Sequence, residues 1–167
     1  MSFLGFKKWD TFPYMRQNID DLDRSILRFL QRDASLSVDE ISEKVALSRN
    51  ACWRRIKALE ADGIITKRVA LVDPAKVGSP LTALVMIKTS THDAKWIKDF
   101  QAVLASLPEV VGAHRMTGDL DYVLRVRLAD MPAYDDFYRR LTSRISVSDM
   151  SASFVMEDIK ETTAVPL

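Results

Sequence analysis

The chain has 167 residues, 47% of them hydrophobic and 28% charged, with a formal net charge of +1. That length suits one large domain or two small ones, and no apolar run approaches the roughly 20 residues of a membrane span. The single cysteine, Cys52, excludes an intrachain disulfide, and with His92 and His114 it makes no zinc pattern, so neither a metal nor a cofactor is expected.

Residues 1–18 read as an N-terminal extension, with Met15 an alternative start. Phe3, Leu4, Phe6, Trp9 and Phe12 are interrupted by Lys7, Lys8 and Asp10. They form no signal-peptide core, and a cytoplasmic location is expected.

Residues 19–65 read as a helix-turn-helix domain. Leu22, Ile26, Phe29 and Leu30 recur at helical spacing from Asp21 to Gln31, and Asp21 and Asp23 suit the positive end of the helix dipole. Ser37 and Glu40 have capping-box spacing for a second helix, whose Ile41 and Val45 point inward. Ala46 and Leu47 make a short turn, Ser48 caps a third helix reaching Ala61, and Gly63 stops it. Between residues 48 and 68 there are six basic residues against two acidic ones, whereas from residue 80 onward there are ten against twelve. Attraction to an anionic polymer therefore belongs to the N-terminal third.

On a helical wheel at about 100° per residue, Cys52, Ile56 and Leu59 share the core side of the third helix. Asn50, Arg54 and Lys57 share the opposite side, with Trp53 at its edge, placed either to pack on the sugar-phosphate backbone or to anchor the domain core. Arginine or lysine can meet guanine there, asparagine can meet adenine, and the neighbouring Ser48 and Arg49 can hold phosphates. These six residues are the expected DNA contacts, with double-stranded DNA as the partner. Arg55 falls toward the interior and is expected to pair with a carboxylate or helix-end carbonyls.

Residues 66–80 read as a strand and linker, with branched apolar residues from Ile64 to Val72 and then Pro74, Gly78 and Pro80. Residues 81–167 alternate more regularly. Leu81, Ala83, Val85 and Ile87 mark a strand, and Trp96, Phe100, Val103, Leu104 and Leu107 a helix ended by Pro108. Val110 to Thr117 is a second strand, Gly118 to Asp121 a turn, and Tyr122 to Leu128 a third strand. Asp130 caps a helix whose inner face is Tyr134, Phe137, Tyr138, Leu141 and Ile145. Met150, Ala152, Phe154 and Met156 mark a last strand. The order βαββαβ predicts a ferredoxin-like antiparallel sheet with two helices on one face, giving an α+β protein with an N-terminal winged helix-turn-helix.

The stretch from Asp21 to Leu27, the stretch Ser48 to Ile65 around Arg54-Arg-Ile-Lys-Ala-Leu-Glu-Ala-Asp-Gly, the stretch Thr117-Gly-Asp-Leu-Asp-Tyr-Val-Leu-Arg-Val126 and the tail Met156 to Thr163 together resemble the leucine-responsive/asparagine-regulator (Lrp/AsnC) family. The resemblance covers about residues 19–167. It implies a transcriptional regulator that dimerises through its C-terminal sheets, often assembles into octamers and binds a small amino acid between C-terminal domains. It implies an effector site at Met116, Thr117, Gly118, Asp119, Asp121 and Phe154, with Leu120 standing where many relatives carry an aromatic residue. Backbone N–H groups freed at a glycine turn suit a carboxylate, and a fixed aspartate suits an ammonium. The effector's identity is left open.

An architectural DNA-binding protein without an effector is the alternative. A catalytic role is not expected. The chain has no nucleophile–base pair and no phosphate-cradling glycine loop, and His114 beside Arg115 is the one constellation to test.

Overall fold

A computed structural model describes residues 19–167, so the reading of residues 1–18 lies outside the described residues. The chain divides into two compact units. One takes the described residues up to Ala70 together with Thr162–Leu167, the other Leu71–Glu161.

The first unit is built on α1 (Asp21–Arg32), α2 (Val38–Lys44) and α3 (Arg49–Ala61). Each starts at a side-chain cap. The Asp20 carboxylate accepts from the Asp23 N–H at 2.8 Å. Ser37 and Glu40 close the expected reciprocal box, and Ser48 accepts from the Ala51 N–H at 3.3 Å. Such caps satisfy backbone donors that no helical carbonyl can reach. Ala46 turns α2 into α3 at φ +53°, and the Leu47 N–H bonds back to the Ser42 carbonyl at 2.9 Å. Gly63 ends α3 at φ +70°, where a Cβ would be strained.

Ile26, Leu27, Ile41, Val45, Cys52, Ile56 and Leu59 form the core of this unit. Leu22, expected on the inner stripe, is 36% exposed. Its turn of α1 is given to Asp20 and Asp23, which face Arg55, and the stripe centres instead on Ile26 and Leu27. The expected strand over Ile64–Val72 is also absent. No backbone hydrogen bond among the described residues engages residues 66–72, and Val69, Leu71 and Val72 are exposed. Branched residues favour an extended chain, but a strand needs a ladder partner as well.

The second unit contains β1 (Leu81–Lys88), α4 (Ala94–Ala105), β2 (Val110–Arg115), β3 (Tyr122–Leu128), α5 (Met131–Thr142) and β4 (Asp149–Phe154). The strands form one sheet in the order β2-β3-β1-β4, with every neighbouring pair antiparallel. This is the ferredoxin-like arrangement read from the sequence. Ala83, Val85, Ile87, Tyr122, Leu124 and Val126 line one sheet face and pack with Phe100, Val103, Phe137 and Leu141 of the two helices. Tyr138, expected inside, is 40% exposed. It lies one position past Phe137, which takes the buried slot. Between Val110 and Gly112 the register of β2 slips, which bends this edge strand.

Among the described residues of this unit, both helices pack on that one sheet face, which leaves the opposite face without a helix from the unit. There Leu84 is 38% exposed, with Met86 and Val123 half-buried beside it and Arg125, Ser151 and Ser153 exposed around them. Among the described residues, no helix is long and apolar enough to cross a membrane.

Candidate functional site

Because Cys52, Ile56 and Leu59 are buried, the opposite side of α3 must face out. Ser48, Arg49, Asn50, Trp53, Arg54 and Lys57 are all exposed, Trp53 by 51%. Arg49 pairs with Asp39 at 2.9 Å and Lys57 with Glu60 at 2.7 Å, and Glu60 also meets Arg68 at 3.2 Å. These pairs lie in solvent, where such contacts are worth about 0–1 kcal/mol, so an incoming phosphate can displace them. Arg54 has no side-chain partner among the described residues. Arg55 behaves differently. Its Nη1 lies 2.8 Å from both Asp20 and Asp23, which ties α3 to the start of α1 and removes Arg55 from the outer face.

A second constellation gathers at the β2–β3 turn. Gly118 takes φ +104°, which favours glycine, and the Met116 N–H closes the hairpin on the Asp121 carbonyl at 2.9 Å. No hydrogen bond among the described residues uses the N–H groups of Thr117, Gly118, Asp119 or Leu120. Met116, Thr117, Gly118 and Asp119 are exposed. Asp121 is held from two sides. Its Oδ2 accepts from the Thr89 N–H at 2.8 Å, and its own N–H donates to the Ile87 carbonyl at 3.1 Å. Its Oδ1 faces His92 Nε2 at 3.5 Å. Five of the six expected effector residues thus lie on one turn.

Phe154 does not join them within one chain. It pairs with Ala83 near the start of β1, whereas the turn adjoins Ile87 near its end. At about 3.3 Å per residue these positions are on the order of 13 Å apart. Phe154 instead packs edge-on against Tyr134 at 5.1 Å.

Known proteins share both halves of this arrangement. Residues 19–66 match the winged helix-turn-helix DNA-binding domain, and residues 82–165 match the Lrp/AsnC ligand binding domain. The chain belongs to the Lrp/AsnC family. It is 47% identical over 150 residues to the DNA-binding transcriptional activator DecR of Escherichia coli K12, covering 89% of this chain and 99% of that one. An AsnC family transcriptional regulator from Agrobacterium tumefaciens has a crystal structure with TM-score 0.85 and 50% identity, covering 88% of this chain and 96% of that one. A transcriptional regulator from Neisseria meningitidis, solved in complex with L-methionine, has TM-score 0.85 and 37% identity over the same shares. This Lrp/AsnC protein is accordingly a transcriptional regulator with an N-terminal DNA-binding domain and a C-terminal ligand-binding domain.

Some residues that shape these sites in the Lrp/AsnC chain escaped the sequence reading. Asp20, the cap of α1 and a partner of Arg55, was passed over for Asp21 and Asp23. His92 entered only as a residue that completes no zinc pattern, although the Thr89-Ser90-Thr91 run before it signals a tight loop. Thr89 Oγ1 accepts from the Thr91 N–H at 3.2 Å and donates to the Thr91 carbonyl at 3.1 Å, folding the loop back toward Asp121.

The carboxylates that pin the DNA-binding unit share one electrostatic state. The Asp23 N–H, and then Arg55, hold the Asp20 carboxyl below the usual range. The Ser37 N–H and hydroxyl do the same for Glu40, and Lys57 with Arg68 for Glu60. In the unfolded chain these groups return to about pH 4. Their stabilisation is full above that value and is lost as pH falls through the lower folded values. The denaturant midpoint of this regulator is therefore expected to stay flat from about pH 7 to about pH 5 and to fall below about pH 4. A decline already complete by pH 5 contradicts this assignment.

Proposed function

We propose that α3 of each protomer enters a major groove, with Asn50, Arg54 and Lys57 meeting base edges and Ser48, Arg49 and Trp53 meeting the sugar-phosphate backbone. The observation that carries this reading is the exposed Asn50–Arg54–Lys57 side of α3 behind two capped helices. The protein acts where its DNA lies, in the cytoplasm, and the reading assigns it no catalytic step.

The effector is a small amino acid at the Gly118 turn. Its carboxylate takes the unused N–H groups of Thr117 to Leu120, and its ammonium takes Asp119 and the held carboxylate of Asp121. Met116 and Thr117 flank it. Relatives solved with L-methionine support an amino acid as the ligand class. Phe154 closes such a site only from another copy of the chain, which fits a ligand bound between protomers. Ligand and DNA affinities are then coupled through assembly.

A thermal-shift screen of the free amino acids tests the sensor, because a ligand of the folded state raises the midpoint. If none shifts the midpoint or the DNA affinity, the protein is an architectural DNA binder. For the amino acid that does bind, Asp121→Asn is the sharper variant. The amide oxygen can still accept from Thr89, while the charge is lost. Calorimetry should show binding weakened by about 1.5–3 kcal/mol, the usual worth of a charged hydrogen bond. Unaltered affinity rejects Asp121 as the ammonium's partner.

The helix-free sheet face is the proposed dimer interface, with higher assembly up to an octamer built on that dimer. A two-fold contact meets Leu84 twice. Leu84→Asp should therefore raise the dimer dissociation constant on the order of a hundredfold in sedimentation experiments, since each copy buries a new charge. A variant that sediments as the wild type does moves the interface elsewhere.

A further inference from the structure

The first unit is not continuous in sequence. Its three helices are completed by Thr162–Leu167, which reach the unit only after the whole sheet unit has been traversed. The contact is made by residues, not by proximity alone. The side-chain amide of Gln31 grips the backbone of Val165 at two points. Its Nε2 donates to the Val165 carbonyl at 3.2 Å, and its Oε1 accepts from the Val165 N–H at 2.7 Å. One turn earlier on α1, Arg28 donates to the Leu167 carbonyl from Nε at 3.3 Å and from Nη2 at 3.1 Å. The Leu167 side chain packs against the cluster around Ile26 and Ile56. Within the segment, the Ala164 N–H bonds to Thr162 Oγ1 at 3.1 Å.

This is peptide recognition in miniature. A glutamine amide that pairs with both backbone groups of one residue reproduces one rung of a β-ladder. Arginine holds the carbonyl two residues on, and the Leu167 side chain packs against the core. Positions 28 and 31 are neighbours on one helix face. Neither residue belongs to the DNA-reading side of α3 or to the Gly118 turn.

We infer that the Arg28–Gln31 face of α1 is a peptide-binding site and that its ligand is the chain's own extended segment 162–167. The seated segment ties the DNA-binding unit to the sheet unit by a second covalent link, in addition to the one through Ala70 and Leu71. The inference does not depend on which DNA or which effector the protein binds.

Amide hydrogen exchange on the full-length protein tests it without DNA or effector. The Val165 amide should be protected, and Gln31→Ala should accelerate its exchange roughly tenfold or more while leaving the β1 and β3 amides unchanged. Exchange of Val165 at the unstructured rate in the wild type overturns the inference. A chain ended at Glu161 supplies the second measurement. Its α1–α3 unit should melt earlier, and the synthetic hexapeptide Thr-Thr-Ala-Val-Pro-Leu at millimolar concentration should restore the midpoint, because a tethered segment acts at a comparable effective concentration. The peptide should fail on the same chain carrying Arg28→Ala and Gln31→Ala. No rescue of the parent truncation, or equal rescue of the double variant, overturns the site.

Discussion

Phe137→Ala is expected to destabilise the sheet unit by about 3–5 kcal/mol, the usual result of emptying a fully buried phenylalanine site. Phe137 is 0% exposed and belongs to the cluster formed by α4, α5 and the covered sheet face. A domain is typically stable by only about 5–15 kcal/mol, so a loss of this size takes most of the margin. Trp96 lies in the same cluster, stacked on Phe100 at 4.8 Å, and its fluorescence reports the event. A urea midpoint within error of the wild type would show that the neighbours collapse into the vacated volume, and the packing account would fail. Two units can unfold in two steps, so the Trp96 signal should be followed separately from that of the exposed Trp53.

The second large effect is on DNA. Arg54→Ala should weaken specific binding by about 1–3 kcal/mol, roughly tenfold to a hundredfold, if Arg54 reads a base. The melting midpoint should stay where it was, because the Arg54 side chain is exposed and has no ion-pair or hydrogen-bond partner among the described residues. Salt separates two roles. A base reader leaves the slope of log affinity against log salt unchanged, whereas losing a phosphate contact reduces it by about one. An unchanged gel-shift titration removes Arg54 from the reading set. Arg55→Ala should do the reverse, loosening the α1–α3 contact while leaving base discrimination alone, since its guanidinium is committed to Asp20 and Asp23.

The parts of the fold that could be read from the sequence are those decided locally. The Ser37–Glu40 box, the Ser48 cap and the Gly63 stop each depend on residues a few positions apart. The outward face of α3 follows from Cys52, Ile56 and Leu59 alone. The two-residue period of β1 and β3 likewise sets their buried faces independently of how the strands pair.

What escaped depends on distant partners. Branched residues made Ile64–Val72 look like a strand, but no neighbour supplies its ladder among the described residues. The distance of Phe154 from the Gly118 turn within one chain follows from the β1–β4 register, which spacing along the sequence does not supply. Leu22 and Tyr138 satisfy helical spacing yet lie outside the packed stripe. Periodicity gives the phase of a stripe but not its width. The closeness of His92 to Asp121 needed the folded loop, which no spacing rule supplies.

The split composition of the first unit bears on how such regulators can be recombined. A chimera that grafts residues 19–70 alone onto another family member's sheet unit leaves behind the segment 162–167 that Gln31 and Arg28 hold in this chain. The helical unit of this chain is therefore carried whole only when 19–70 and 162–167 are transplanted together.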